Sequence, residues 1–447
     1  MAEEPGLTRP RFIAATAALV AVAVTVYAPA LGGWFQLDDF SWFAAVRGRT
    51  LVEALFSHVD TRSWRPLAEA LQYWTLDRTV GMAALPAHLL SLSVYATAVV
   101  LVVRLARVLG ASHRQALASG ALFALHDAHV MATCWNATLN QPAFVALAAL
   151  HLISVKRIFD AGRASALRWA AAVATALVAA LVHESAVLLP VADALVAIGV
   201  APRRARRRAL ALVAALGVAL GAFCAWRLHV AARFSDGPYR FTVGGETLSA
   251  LGWYVDLALC PNVRPFPGRP ALDVLLATAL IAFAARAWRR GDRLPALGLS
   301  LFAVLLAPAL TVPRHLSDYY LTIPSVGLAL AGGALVEAGL AHPRRAVTVA
   351  SALVASAWLV AMGLTARDRA ASVASNGRVL RPAVTTVIAA RRAIGPGRLL
   401  RLGRVAPAVA DELSRAPTPF DHLGLGPVCV EPRCPPRSAT DVPLRAE

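Results

Sequence analysis

Phe12-Ile-Ala-Ala-Thr-Ala-Ala-Leu-Val-Ala-Val-Ala-Val-Thr-Val-Tyr-Ala-Pro-Ala-Leu31 runs without a charge into Gly32-Gly-Trp-Phe-Gln-Leu-Asp-Asp-Phe40. The first stretch has the length of a bilayer-spanning helix, roughly 20 residues. A cleavable signal would have a shorter apolar region. The second stretch puts two adjacent carboxylates, Asp38 and Asp39, only a few residues beyond the apolar run. Like charges side by side repel, and holding them near a bilayer costs free energy, so they are functional candidates.

The rest of the chain extends the same pattern. It is 58% hydrophobic and 16% charged, with a mean hydropathy of +0.59. Soluble domains carry about 25% charged residues, so the composition is that of an integral membrane protein. Apolar stretches recur at 11–31, 82–103, 115–133, 139–155, 169–183, 185–200, 209–231, 271–288, 294–312, 319–340 and 346–366. The expected fold class is an all-α polytopic membrane protein of about 11 transmembrane helices, with helical outer loops and a short C-terminal extramembrane tail. The transmembrane domain is expected over 1–366 and the tail over 367–447.

The net charge of +18 comes almost entirely from arginine, Lys156 being the one lysine. No basic stretch is interleaved with aromatics as a single-strand binder requires, so nucleic acid is excluded as a partner. The basic residues instead report topology. With the N-terminus cytoplasmic, short inner loops collect Arg104, Arg107 and Arg114, then Lys156, Arg157, Arg163 and Arg168, then the cluster Arg203–Arg208, then Arg286, Arg289, Arg290 and Arg293. This is the positive-inside pattern. It predicts a bacterial cytoplasmic (inner) membrane protein with outer loops at 32–81 and 232–270 and an outer tail. Within the first loop, Leu51–Phe56 and Leu67–Trp74 have helical spacing, with Trp64, Tyr73 and Trp74 expected at the interface. Cys429 and Cys434 can close a local disulfide if the tail is outside.

The alternation gathers polar residues at the outer face: Asp38, Asp39, Arg65, His88, His126, Asp127, His129, Asn136, Asn140, His183, Glu184, Arg314, His315, Asp318, Tyr319 and Tyr320. Convergence of separate segments on one side predicts a shared cavity.

Six of these segments carry an ordered set of short motifs. They are Gln36-Leu-Asp-Asp-Phe40, Trp64-Arg-Pro-Leu67, Pro86-Ala-His-Leu-Leu90, Phe123-Ala-Leu-His-Asp-Ala-His129, His183-Glu184 and Asp318-Tyr-Tyr-Leu-Thr-Ile-Pro324. In order and side, the layout resembles the GT-C glycosyltransferases, in particular protein O-mannosyltransferase-like and related bacterial polytopic enzymes, over about residues 11–366. The chain departs from that pattern at Asp127, where a proline is usual, at His183, where a lysine is usual, and at Asn140, where an arginine is common.

The resemblance implies transfer of a sugar from a polyprenyl-phosphate-linked donor to an acceptor protein, lipid or glycan on the outer face. Inverting transfer needs a base for the acceptor hydroxyl, and Asp38 or Asp39 is the expected one. A lipid-phosphate leaving group needs cationic or hydrogen-bonding partners. Arg65, His183, Glu184, Arg314, Asp318 and Tyr319 are the candidates for the donor and its phosphate, with His88, His126 and His129 supporting. No cofactor is demanded, and the sequence leaves a divalent metal ion open, at the acid pair or at His126, His129 and Glu184. Two other functions fit an outer polar cluster: a transporter or flippase of a lipid-linked substrate, and a non-catalytic scaffold.

Overall fold

The computed structural model describes residues 8–57, 64–161, 165–200, 202, 206–230, 240–262 and 268–395, and in the tail 398–403, 405, 410, 413–414, 418–423, 425–431, 434 and 442–445. Arg163, Arg203 and Arg204 of the inner basic loops lie outside these residues.

All eleven apolar stretches are wholly or largely helical. Helix α1 (Arg9–Tyr27) starts with Pro10 in its first turn, where the missing N–H costs nothing. The loop that follows folds into α2 (Asp39–Val46), α3 (Leu51–Phe56) and α4 (Leu71–Thr79). Thr50 and Glu53 close a capping box on α3. The bundle continues with α5 (Ala84–Val108), α6 (His113–Ala124), the short α7 (Val130–Cys134), α8 (Asn140–Asp160), α9 (Ala166–Val182), α10 (Leu189–Val200), α11 (Arg206–Val230), α12 (Gly245–Leu259), α13 (Arg269–Arg289), α14 (Leu294–Leu310), α15 (Ser325–Leu340) and α16 (Arg345–Ile394).

Six of these helical stretches are long and apolar enough to cross a membrane, among the described residues: Arg9–Gly32, Ala84–Val108, Asn136–Asp160, Ala209–Arg227, Arg269–Arg289 and Arg345–Ile394. Ala166–Val182, Leu294–Leu310 and Ser325–Leu340 are shorter apolar helices. The expected spans 115–133 and 185–200 are broken. Helices α6 and α10 have 12 residues each, about 18 Å of rise against a hydrocarbon core of about 30 Å. The C-terminal end of α6 and the N-terminal end of α10 meet 3₁₀ turns at Asp127–His129 and Glu184–Leu188. Backbone of that kind is tolerated at depth only where protein buries it, and Asp127, Ala128, His129, Ser185 and Ala186 are buried.

The expected boundary at 366 falls inside α16, which runs unbroken for 50 residues, about 75 Å and far more than one bilayer crossing. Its C-terminal half carries a second core. Leu380, Val384 and Val387 pack with Phe35, Phe40, Phe43 and Tyr73 of the first loop and with Leu400, Leu402 and Phe420 of the tail. The tail adds the described chain's one sheet, β1 (Leu400–Gly403) flanked by β2 (Val428–Val430) and β3 (Val442–Arg445), both parallel to it. Leu400 pairs with Val428 on one side and Val442 on the other. The Cys429–Cys434 disulfide is formed. Tyr73, expected at the membrane interface, is fully buried in this second core.

Small residues let helices approach. A Cβ on Gly327 would stand 2.4 Å from the Gly298 carbonyl oxygen, and one on Gly377 would stand 2.4 Å from the Trp34 carbonyl oxygen. The first contact is the α14–α15 crossing. The second seats the acid-pair loop on α16.

One polar pair lies deep in the bundle. His151 of α8 has Nε2 at 3.1 Å from both carboxylate oxygens of Asp193 on α10. Its Nδ1 donates to the Ala172 carbonyl of α9 at 3.0 Å. Both side chains are 0% exposed, so this contact joins three helices where no water substitutes for a lost partner. Asp193→Ala is expected to cost about 3–5 kcal/mol, because it strands the histidine. The double variant His151→Leu/Asp193→Leu is expected to cost clearly less. Thermal unfolding of the purified protein in detergent compares the two.

Candidate active site

The two adjacent aspartates face opposite ways. Leu37 precedes them with φ of +49°, the one non-glycine residue in the left-handed region among those described. That conformation costs of order 1–3 kcal/mol and persists only where surrounding contacts enforce it. Here the contacts are those of Asp39, the first residue of α2. Its Oδ2 accepts the Gln36 N–H at 2.9 Å and its Oδ1 accepts the Tyr73 hydroxyl. Asp39 is 0% exposed. Burial pushes its carboxyl up to about 7, against the pull of the Tyr73 and Gln36 hydrogen bonds.

Asp38 is exposed. It occupies the N-cap position of α2, yet its side chain makes no capping bond, so its carboxylate is left for other work. Partial desolvation raises its pKa, while His422 and His315 pull it down. The tail helix Pro419–His422 packs on α2, the helix that follows Asp38.

A second cluster forms around Arg65. The residue before a proline is driven to extended backbone, and Arg65 (φ −128°, ψ 70°) stands immediately before the buried turn Pro66–Ala70. Its guanidinium donates to both oxygens of Glu184, Nε at 2.8 Å and Nη2 at 2.7 Å, and to Glu69 Oε1 through Nη1 at 2.8 Å. Glu184 is 45% exposed whereas Glu69 is 2% exposed. Burial drives the Glu69 carboxyl up to about 8 despite Arg65. For Glu184 burial also opposes ionisation, but Arg65 overrides it and holds the carboxyl well below the usual range.

Asn140 Nδ2 reaches Glu69 Oε1 at 3.4 Å. His183 is buried. Its Nδ1 accepts the Ser185 N–H at 3.1 Å, and its Nε2 lies 3.0 Å from the Gln141 side-chain amide nitrogen. His183 therefore holds the turn rather than offering a cation.

Tyr319 links the two clusters. It lies within electrostatic range of both Arg65 and Asp38, and Asp38 also acts on Glu69. Its ring meets Trp135 at 6.3 Å, and Trp135 Nε1 donates to the Gln36 carbonyl at 3.2 Å. Asp38, Asp39, Arg65, His183, Glu184 and Tyr319 are thus gathered at one end of the bundle.

The other expected residues have different tasks. Asp318 accepts from Arg369 Nη2, and Arg369 Nη1 reaches the Asp127 carbonyl at 3.0 Å and its carboxylate at 3.4 Å. Arg314 is exposed and forms a two-bond pair with Glu246, at 3.0 and 2.9 Å. His126 Nε2 lies 3.1 Å from the Ala258 carbonyl, and its Nδ1 accepts the Ala128 N–H. His129 bonds Tyr95 and Ser325, each at 2.9 Å. Those two histidines are occupied by protein partners. His88 is buried against Gly33 and backs the acid-pair loop. Among the described residues no three His, Cys, Asp or Glu side chains are grouped to hold a metal ion.

Reasoning from the sequence missed Glu69, Tyr73, Arg369 and His422. Glu69 carried a signal, since it follows Arg65 by one helical turn, the spacing of an ion pair. Arg369 and His422 sit in what reads as tail, and only the fold brings them back.

Asp39 and Glu69 bind their protons more tightly in the folded chain than at the unfolded reference near 4. The stability they contribute is fully present below about pH 4 and is lost as pH rises toward about 8. The midpoint of thermal unfolding is expected to fall between about pH 7.5 and 8.5, above the range in which histidines titrate. Glu69→Gln keeps the Oε1 contacts and should shrink that fall. A fall that Glu69→Gln leaves unchanged would contradict the assignment.

No protein-family profile matches the chain, and no curated protein matches it. Among solved structures, the chain is similar to the crystal structure of ArnT from Cupriavidus metallidurans bound to undecaprenyl phosphate, at 13% identity and a TM-score of 0.46, over 93% of this chain and 85% of that one. At that identity no residue or role passes from that protein to this chain.

Proposed function

We propose that this chain is a GT-C-type membrane glycosyltransferase that moves a sugar from a polyprenyl-phosphate carrier to an acceptor hydroxyl at the outer face of a bacterial inner membrane. The observation that carries the reading is the split acid pair, one carboxylate buried and tied down, its neighbour exposed, at the same end of the bundle as a guanidinium held by a displaceable acid.

Asp38 is the base. It takes the proton of the acceptor hydroxyl as the acceptor oxygen bonds to the anomeric carbon. The bond from that carbon to the carrier phosphate oxygen breaks, and the polyprenyl phosphate leaves with its electron pair. Asp38 then returns the proton to water. Asp39 is a positioning residue: through Tyr73 and the Gln36 N–H it enforces the strained turn that aims Asp38 outward. Arg65 holds the leaving phosphate, since a guanidinium fork matches two phosphate oxygens as it matches a carboxylate. None of these steps draws on a metal. The acceptor faces the wall made by His315, Tyr319 and His422.

The outer placement draws support from the Cys429–Cys434 disulfide, which suits an oxidising compartment. An alkaline phosphatase fused after Glu447 is expected to be active in cells; an inactive, stable fusion would reverse the topology.

Asp38→Asn is expected to lower transfer from a polyprenyl-phosphate sugar by about 10²–10⁴-fold, with binding of the lipid retained. Asp39→Asn should lower it less and shift its pH dependence, because the turn loosens while the base remains. Full activity in Asp38→Asn would sink the assignment. Movement of the lipid-linked sugar across vesicles without transfer would favour a flippase.

A further inference from the structure

Three of the five N–H donors of Arg65 are engaged in this structure. Two go to Glu184 at 2.8 and 2.7 Å and a third goes to Glu69 at 2.8 Å. A phosphate can take the Nε/Nη2 fork, which now holds both oxygens of Glu184, only when Glu184 moves. The two acids differ in their freedom. Glu69 is 2% exposed and lies beneath the guanidinium, fixed also by Asn140. Glu184 is 45% exposed, on a 3₁₀ turn between α9 and α10. Its carboxylate offers two oxygens side by side to the fork, as a phosphate would.

The surroundings are those of a lipid entrance. The Trp64 ring stacks on Phe56 at 5.9 Å and meets Phe223 and Trp226 of α11 at 6.3 and 5.3 Å. Trp226 and Val218 are exposed on α11, 41% and 75%, and a long apolar helix with such a face presents it to hydrocarbon. Arg227, also on α11, has its guanidinium 5.9 Å from the Trp64 ring centre and lies within electrostatic range of Glu184. Glu184 thus lies in the field of two cations, Arg65 and Arg227.

We infer that Glu184 is a placeholder anion: its carboxylate occupies the seat on Arg65 that the carrier's phosphate monoester takes, and it passes toward Arg227 when that phosphate arrives. The inference rests on the lipid-phosphate reading above. No covalent bond changes; one anion replaces another on the same fork. The exchange keeps the guanidinium paired at every stage, so a buried charge is never stranded. It also weakens the hold on the spent carrier, because the returning carboxylate competes for the fork.

The test is equilibrium binding of a C15 polyprenyl monophosphate, read by quenching of tryptophan fluorescence in detergent, with inorganic phosphate as a parallel probe. Glu184→Gln retains an oxygen for Arg65 but removes the competing charge, and is expected to bind the lipid phosphate about 10-fold more tightly, a change worth about 1.4 kcal/mol. Glu184→Ala should do the same, which covers a misfolded first variant. Arg227→Gln should weaken binding in the wild-type background and have little effect in the Glu184→Gln background.

Tightening by Glu184→Gln for inorganic phosphate as well supports the exchange and assigns the seat to the phosphate group itself. Tightening for the lipid phosphate alone supports it and makes the chain part of recognition. Wild-type binding that Glu184→Gln and Glu184→Ala leave unchanged or weaken overturns the inference, and the lipid-phosphate reading stands. An equal loss from Arg227→Gln in both backgrounds overturns the transfer to Arg227. Absence of lipid-phosphate binding in every folded variant overturns both readings.

Discussion

Arg369 ties one end of the bundle together. From α16 it reaches the Asp127 carbonyl and carboxylate and the carboxylate of Asp318. Asp127 in turn accepts the Asn262 N–H at 2.9 Å. One guanidinium thus joins α16, the turn beyond α6, the turn before α15 and the segment after α12. Asp127 and Asp318 are buried and Arg369 is partly so, and removal of one member leaves the others unpaired. The C-terminal half of α16 runs on from that anchor. Gly377 meets the backbone of Trp34, and Val384 and Val387 receive the first loop and the tail sheet.

The acid pair illustrates how little covalent sequence says about environment. Asp38 and Asp39 are chemically identical and adjacent, and one strained residue, Leu37, separates their fates. Asp39 is held by a backbone N–H and the Tyr73 hydroxyl in the second core. Its burial drives its pKa up to about 7. Asp38 keeps its solvent contact and the company of His315 and His422. Two roles follow from two dielectric surroundings. The same asymmetry recurs at Arg65, where buried Glu69 and half-exposed Glu184 share one guanidinium.

Much of the fold could be read from hydropathy, since each of the eleven apolar stretches is wholly or largely helical. The readings that failed did so for identifiable reasons. Spans 115–133 and 185–200 carry enough apolar residues, but His126 and His183 turn back to accept backbone N–H groups and end the α-helical repeat. Helix α16 passes residue 366 and carries Pro382 inside it, and the packing of its C-terminal half on the first loop and the tail holds it helical to Ile394. His126 and His129 share a spacing that suits ligands, yet each ring nitrogen lies beside a protein partner.

By itself the sequence determined the membrane setting, the helical class and the acids and arginine from which a site can be built. Those follow from local composition and spacing, which act through hydration of each segment alone. The tertiary structure decided which carboxylate is free, which arginine is paired and which of the expected residues meet. Tyr73, Glu69, Arg369 and His422 take their roles from contacts between segments far apart in the chain, and burial there sets charge and hydrogen bonding. No local pattern encodes such contacts, because the desolvation that decides them comes from the packed neighbours.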